Sequence, residues 1–204
     1  CSVMDYEKYK NSRNASWQIL IENNISELPV KVSQICANYG IYIVSYKTAD
    51  EYIRKMNYEN HTKENDAFIF KNIIFYNEKC SIGRQRFSIA HELGHFFLHE
   101  GNCIQCREPS PNDNPKEHEA NVFASRLLAP ACVLWGVGAK SPEQIAKLCD
   151  ITITSATFRA DRMNILYSRE KDFILKHGKS CFLMSKLEQR VYTQFEDFII
   201  HNKL

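Results

Sequence analysis

Arg84-Gln-Arg-Phe-Ser-Ile-Ala-His91-Glu92-Leu-Gly-His95-Phe-Phe-Leu-His99 is the stretch around which the chain is organised. As a helix it sets His91 and His95 four residues apart, so both imidazoles leave one face a turn apart. That spacing lets two ring nitrogens reach one metal at about 2.0–2.1 Å, the usual distance for zinc. Glu92, beside the first histidine, is placed to act on a water rather than to join the ligands. The pattern is H-E-x-x-H, and each letter has a chemical role. A bland alternative exists: an amphipathic core helix with hydrogen-bonded histidines. Phe87, Ile89, Ala90, Leu93, Phe96, Phe97 and Leu98 make the segment largely apolar. Buried imidazoles need partners, which favours the metal.

At 204 residues the chain can bury one substantial core, with or without a small appended unit. Apolar content of 44% and charged content of 25% suit an ordinary globular protein. A net charge of +2 does not point to nucleic acid or a membrane surface. No apolar run reaches the length of a membrane span, and no charged-then-apolar leader opens the chain. It begins at Cys1 rather than Met, so targeting is not judged from that end. Of eight cysteines, Cys36, Cys132 and Cys149 fall in apolar helical stretches as small hydrophobes. The expectation is a reduced, cytoplasmic protein.

Residues 5–23 read as a helix, and a second should start at Pro29 and stop at Gly40. A strand is expected over 41–46, a short helix near 49–56 and a polar loop over 57–66. Ala67-Phe-Ile-Phe70 and Ile73-Ile-Phe-Tyr76 read as a hairpin turning at Lys71-Asn72. Arriving just before the metal helix, it could border a cleft and pair with an extended peptide.

A polar loop follows Gly101, and then a helix carries Glu117-His-Glu119-Ala-Asn121-Val-Phe-Ala-Ser-Arg-Leu-Leu-Ala-Pro130. Its apolar face runs through Ala120, Phe123, Ala124, Leu127 and Leu128. Glu119 falls in step with Phe123 and Leu127, whereas Glu117 aligns with Asn121 and Ser125 on a polar face. A carboxylate on the buried side is costly unless paired or bound to metal. Glu119 is therefore expected as the third ligand. Two histidines and one glutamate leave zinc an open position, the catalytic rather than the structural arrangement.

Arg86-Phe-Ser-Ile-Ala-His-Glu-Leu-Gly-His95 followed by Glu119-Ala-Asn-Val-Phe-Ala-Ser-Arg-Leu-Leu-Ala-Pro130 resembles the ImmA/IrrE family of metallo-endopeptidases. Weaker similarity covers Leu28-Pro29-Val30, the strand pair and Ile145-Ala146 through Arg162. The resemblance implies a zinc-peptidase-like core, with His91, His95 and Glu119 at the metal positions and Glu92 as general base. It also implies a substrate that is often a helix-turn-helix repressor of a mobile element or stress regulon. Ala129 stands where the family often has methionine, and Arg126 where a carboxylate is common.

Other patterns weigh less. His99 extends the histidine series, but lies about 12 Å along a straight helix from His91, as a rim or supporting residue. Cys103-Ile-Gln-Cys106 is a lone C-x-x-C; a structural zinc would need two more ligands. Its sharper reading is a thiolate that visits and blocks the open metal position. Ser141-Pro-Glu-Gln144 opens a helix with a capping box, and a second should begin near Thr154. Two short helices there would resemble a helix-turn-helix, with Arg159 and Arg162 as its obvious phosphate donors. Ser185-Lys-Leu-Glu188 opens a terminal helix with Leu187, Val191, Phe195 and Phe198 as its stripe.

The expected architecture is α+β: a zincin-like core over 1–138, a small sheet packed on the H-E-x-x-H helix, and a helical region over 139–204. The expected function is a zinc-dependent endopeptidase acting on a protein, with Tyr76, His99 and His118 as candidate oxyanion donors. The rival is a non-catalytic zinc-containing regulator that binds a transcription factor, or DNA through residues 141–165.

Overall fold

The structure, a computed structural model, describes residues 9–99, 114–177 and 185–204. Three short strands and a set of helices make it α+β, as the sequence indicates. In chain order come α1 (Lys10–Glu22), α2 (Val32–Asn38), β1 (Tyr42–Ser45), α3 (Tyr46–Lys55), α4 (Glu59–Glu64), β2 (Ala67–Phe70) and β3 (Ile73–Tyr76). Then follow α5 (Ile82–Leu98), α6 (Pro115–Leu128), α7 (Ala131–Val137), α8 (Pro142–Cys149), α9 (Ile153–His177), α10 (Lys186–Gln194) and α11 (Glu196–His201).

The sheet order is β1-β3-β2. β3 pairs in parallel with β1, Tyr42 opposite Ile73, and antiparallel with β2, Ala67 opposite Tyr76. Lys71 takes the left-handed conformation (φ 54°) that the tight hairpin needs. Side chains alternate across the strands. Phe68 and Phe75 face α3, clustering with Ala49 and Ile53, while Ile69 and Ile74 face the main core with α5 and α6. The sheet is thus a thin layer between a small aromatic cluster and the large helical core.

Several boundaries differ from expectation. The second helix starts at Val32, after a cis Leu28–Pro29 peptide, rather than at Pro29. The polar segment 57–66 contains α4, six residues with none buried, so no apolar periodicity announces it. α9 runs for 25 residues, so α8 and α9 are not the pair of short helices expected. Arg159 is buried and its Nε donates to the Ala129 carbonyl at 2.7 Å, which removes one of the two foreseen phosphate donors. The terminal helix is divided at Phe195 into α10 and α11. Cys36, Cys132 and Cys149 are buried, as expected, and Cys103 and Cys106 lie outside the described residues. Among the described residues, Pro115–Val137 is long and apolar enough to cross a membrane, but most of it is buried in the core.

Two contacts fix the central helix. At its start, a Cβ on Gly83 would stand 2.8 Å from the Thr152 nitrogen, so α5 meets the α8–α9 turn backbone to backbone. Arg86 secures that approach by donating from Nη2 to the Val30 carbonyl (2.9 Å) and from Nε to the Asp150 carbonyl (3.0 Å). Farther along, a Cβ on Gly94 would lie 3.0 Å from Ala120 Cα and 3.2 Å from Phe123 Cδ1. At this crossing the backbone of α6 at Ala120 and the edge of the Phe123 ring close directly over Gly94.

Gly94 therefore yields the first prediction. In an open helix, Gly→Ala gains up to about 1 kcal/mol. Here the added methyl meets backbone that cannot swing aside, so Gly94→Ala should gain little or lose stability. Gly94→Val should cost about 1–3 kcal/mol in urea denaturation, the usual range for overpacking. A full gain for Ala with a neutral Val would mean that the helices do not touch there.

A second prediction concerns Glu188, which is 5% exposed on α10 beneath Arg13 of α1, Arg126 of α6 and the Cys132 thiol. Burial pushes its carboxyl up to about 7 against the pull of Arg13. A carboxyl raised on folding stabilises fully below its unfolded value, and that contribution is lost as pH rises through the folded one. From pH 4.5 to above 7 the wild type should lose roughly 3 kcal/mol relative to Glu188→Gln. Parallel stability–pH curves for the two proteins would contradict this.

Candidate metal centre

The Gly94–Ala120 contact sets the site. Its closeness brings the polar ends of α5 and α6 within hydrogen-bond reach. His91 Nε2 and His95 Nε2 lie 3.0 Å apart. Glu117 closes the group, with Oε2 3.1 Å from His91 Nε2 and Oε1 3.2 Å from His95 Nε2. These three residues are the cluster that can hold a metal ion. Two acceptor nitrogens and a carboxylate at such separations match the edges of a tetrahedron, about 3.3 Å for bonds of 2.0–2.1 Å. Only 3% of the His95 side chain and 13% of His91 are exposed, so the donors converge in a sheltered place. The hydrogen bond from His91, then that from His95, hold the Glu117 carboxyl well below the usual carboxylate range. It is an anion at neutral pH, as a metal ligand must be.

The third position differs from the expected one. Glu117, not Glu119, meets both imidazoles, while Glu119 Oε2 lies 2.9 Å from His99 Nε2. The buried stripe of α6 has two rows. Ala120 and Ala124 are small, and Ala120 is the residue against Gly94. Glu117 extends that row at i−3 and so points at α5. Glu119 continues the row of Phe123 and Leu127, and Phe123 packs farther along α5, against Phe97 at 6.0 Å between centroids. Steps of four through the large residues lead to Glu119, whereas the carboxylate that meets both imidazoles lies on the small row. The useful signal was the small row, together with Asn121 one turn beyond Glu117. Asn121 Oδ1 lies 2.9 Å from His91 Nδ1, which fixes the ring with Nε2 free for a metal.

Glu92 is 3% exposed, and its Oε2 accepts the Ile69 N–H at 3.0 Å. Ile69 belongs to β2, the sheet edge opposite β1. The backbone of an edge strand thus orients the carboxylate next to the histidine pair. Of the candidate oxyanion donors, His99 is engaged by Glu119 and by His95 Nδ1 (3.1 Å), and His118 packs on Tyr9 with centroids 4.5 Å apart. Tyr76 closes the hairpin opposite Ala67.

Comparison with known proteins covers this region. Residues 36–140 match the IrrE N-terminal-like domain, a span containing the sheet, both helices of the site and α7. Over 101 residues the chain is 31% identical to metallopeptidase ImmA of Bacillus subtilis (strain 168), covering 48% of this chain and 53% of the relative. The chain thus spans about half the length of that relative. A match over half of the sequence, centred on the histidine helix and its glutamate-bearing neighbour, places this chain in the ImmA/IrrE family.

Proposed function

We propose that the protein is a zinc-dependent endopeptidase built on a zincin-like core, with His91, His95 and Glu117 as the metal ligands and Glu92 as the general base. The observation that carries the reading is the convergence of His91 Nε2, His95 Nε2 and the Glu117 carboxylate within 3.0–3.2 Å of one another. When bound, zinc supplies Lewis acidity that polarises the scissile carbonyl and makes water acidic enough to attack at neutral pH. Two histidines and a carboxylate fill three of its positions and leave one for that chemistry.

The remaining work falls to the chain. Glu92 takes the proton of the attacking water and later passes it to the departing amine. Its Oε2 is held by the Ile69 amide, so the base has a defined orientation before substrate arrives. An extended peptide in the cleft would present its scissile bond between this carboxylate and the metal ligands. The resemblance to the ImmA/IrrE family points to a helix-turn-helix repressor as the substrate. We take the protein to be cytoplasmic, with Cys36, Cys132 and Cys149 as buried free thiols.

Glu92→Gln tests the catalytic reading, since it keeps the shape and removes the base. Mixed with zinc and a helix-turn-helix repressor encoded beside it, the wild type should produce fragments. The Gln variant should bind zinc normally and cleave at least ~10²-fold more slowly, the usual loss for a positioned base. Relief of repression in cells that persists in the Gln variant, with no fragments formed, would contradict the assignment and favour a regulator that acts by binding alone.

A further inference from the structure

We infer that His99 and Glu119 form a positioning relay behind His95: Glu119 orients His99, and His99 fixes the ring and tautomer of the ligand His95. The inference rests on the zinc-site reading above and extends it to two residues outside the ligand set.

The contacts run in a line. His95 turns Nε2 toward His91 and Glu117, and its Nδ1 lies 3.1 Å from His99 Nδ1. On its far side, His99 Nε2 lies 2.9 Å from Glu119 Oε2. With the Nε2 lone pair of His95 given to a metal, only one placement of protons suits the contacts behind it with neutral rings. A ligand nitrogen must offer its lone pair, so His95 carries its proton on Nδ1 and donates it to His99 Nδ1. His99 then carries its own proton on Nε2 and donates it to the Glu119 carboxylate. With Nδ1 protonated instead, His99 would confront the Nδ1–H of a ligating His95 with a second donor.

Burial gives the line its force. The side chains of His95 and His99 are 3% and 6% exposed, whereas Glu119 is 37% exposed. Water therefore has little access to the two rings, and the charge sits at the accessible end. A carboxylate behind an imidazole raises its basicity as a ligand, and such supporting partners are worth about 10–100-fold in metal affinity. His91 gets the equivalent support directly from Asn121, a neutral amide. The two ligands are thus held by different means, one by an amide and the other by a histidine backed by an anion.

Zinc affinity of the full chain, measured by competition with a chromophoric chelator, tests the relay. His99→Ala should weaken binding about 10–100-fold and Glu119→Ala by several-fold, without loss of stoichiometry. His99→Gln should recover most of the affinity, because its amide oxygen can accept from His95 Nδ1–H while its NH2 donates to Glu119. In a His99→Ala background, Glu119→Ala should add nothing. Cobalt-substituted His99→Ala should show a shifted visible spectrum. Affinities within twofold of wild type in both alanine variants would overturn the relay, as would additive losses in the double variant. Loss of zinc from Glu119→Ala with retention in Glu117→Ala would overturn it too, by making Glu119 a ligand. A wild type that takes up no zinc would instead defeat the metal-site reading, and the relay with it.

Discussion

Gly94 lies against Ala120 closely enough that a single added carbon would stand 3.0 Å from the neighbouring backbone. Most of the chemistry described here depends on that approach. Side chains on two helices reach hydrogen-bond distance at their polar ends only if the axes come close, and a large side chain in place of Gly94 would hold them apart. Gly94 immediately precedes His95, and Ala120 stands between Glu119 and Asn121. The smallest residues on each helix are thus adjacent to the functional ones. From this crossing follow the Glu117 contacts with both imidazoles, the Asn121 contact with His91 and the Glu119 contact with His99.

The site consequently has an order set by helix geometry. On α6, Glu117 and Asn121 are one turn apart and address the two nitrogens of His91. Glu119 is turned by two residues and reaches His99, two turns farther along, at the end of α5. The carboxylate proposed as the base lies on the other side, where Glu92 accepts the amide of Ile69 in an edge strand. Helix and sheet each contribute, and the thin sheet has a use beyond filling the core: it fixes one carboxylate. Beyond the matched region, Gln194 of α10 donates to the carbonyls of Leu20 (2.8 Å) and Ile25 (2.6 Å), joining the C-terminal helices to α1.

Much of this was legible in the residues. The histidine helix, the hairpin turning at Lys71-Asn72, the Ser141–Gln144 capping box and the buried cysteines follow from local rules of spacing and capping. The third acidic position did not. Helical register alone cannot say which of two neighbouring apolar rows faces which partner, since the answer lies in the other helix. Gly94 held part of it, since it lets the backbone at Ala120 come close to α5. α4 escaped for another reason: a solvated helix of six residues has no buried face to leave a periodic trace. The second helix after the capping box runs longer than expected, and Arg159 is turned inward to the Ala129 carbonyl, neither of which the turn between the helices announces.

The claim on which the rest hangs is that Glu117, with His91 and His95, holds the metal. Crystals of the zinc-loaded protein, measured on both sides of the zinc absorption edge, test it most directly. One anomalous peak is predicted, within about 2.0–2.2 Å of His91 Nε2, His95 Nε2 and a Glu117 carboxylate oxygen, with Glu119 still against His99. A peak bonded to Glu119, or zinc bound away from these histidines, would contradict it.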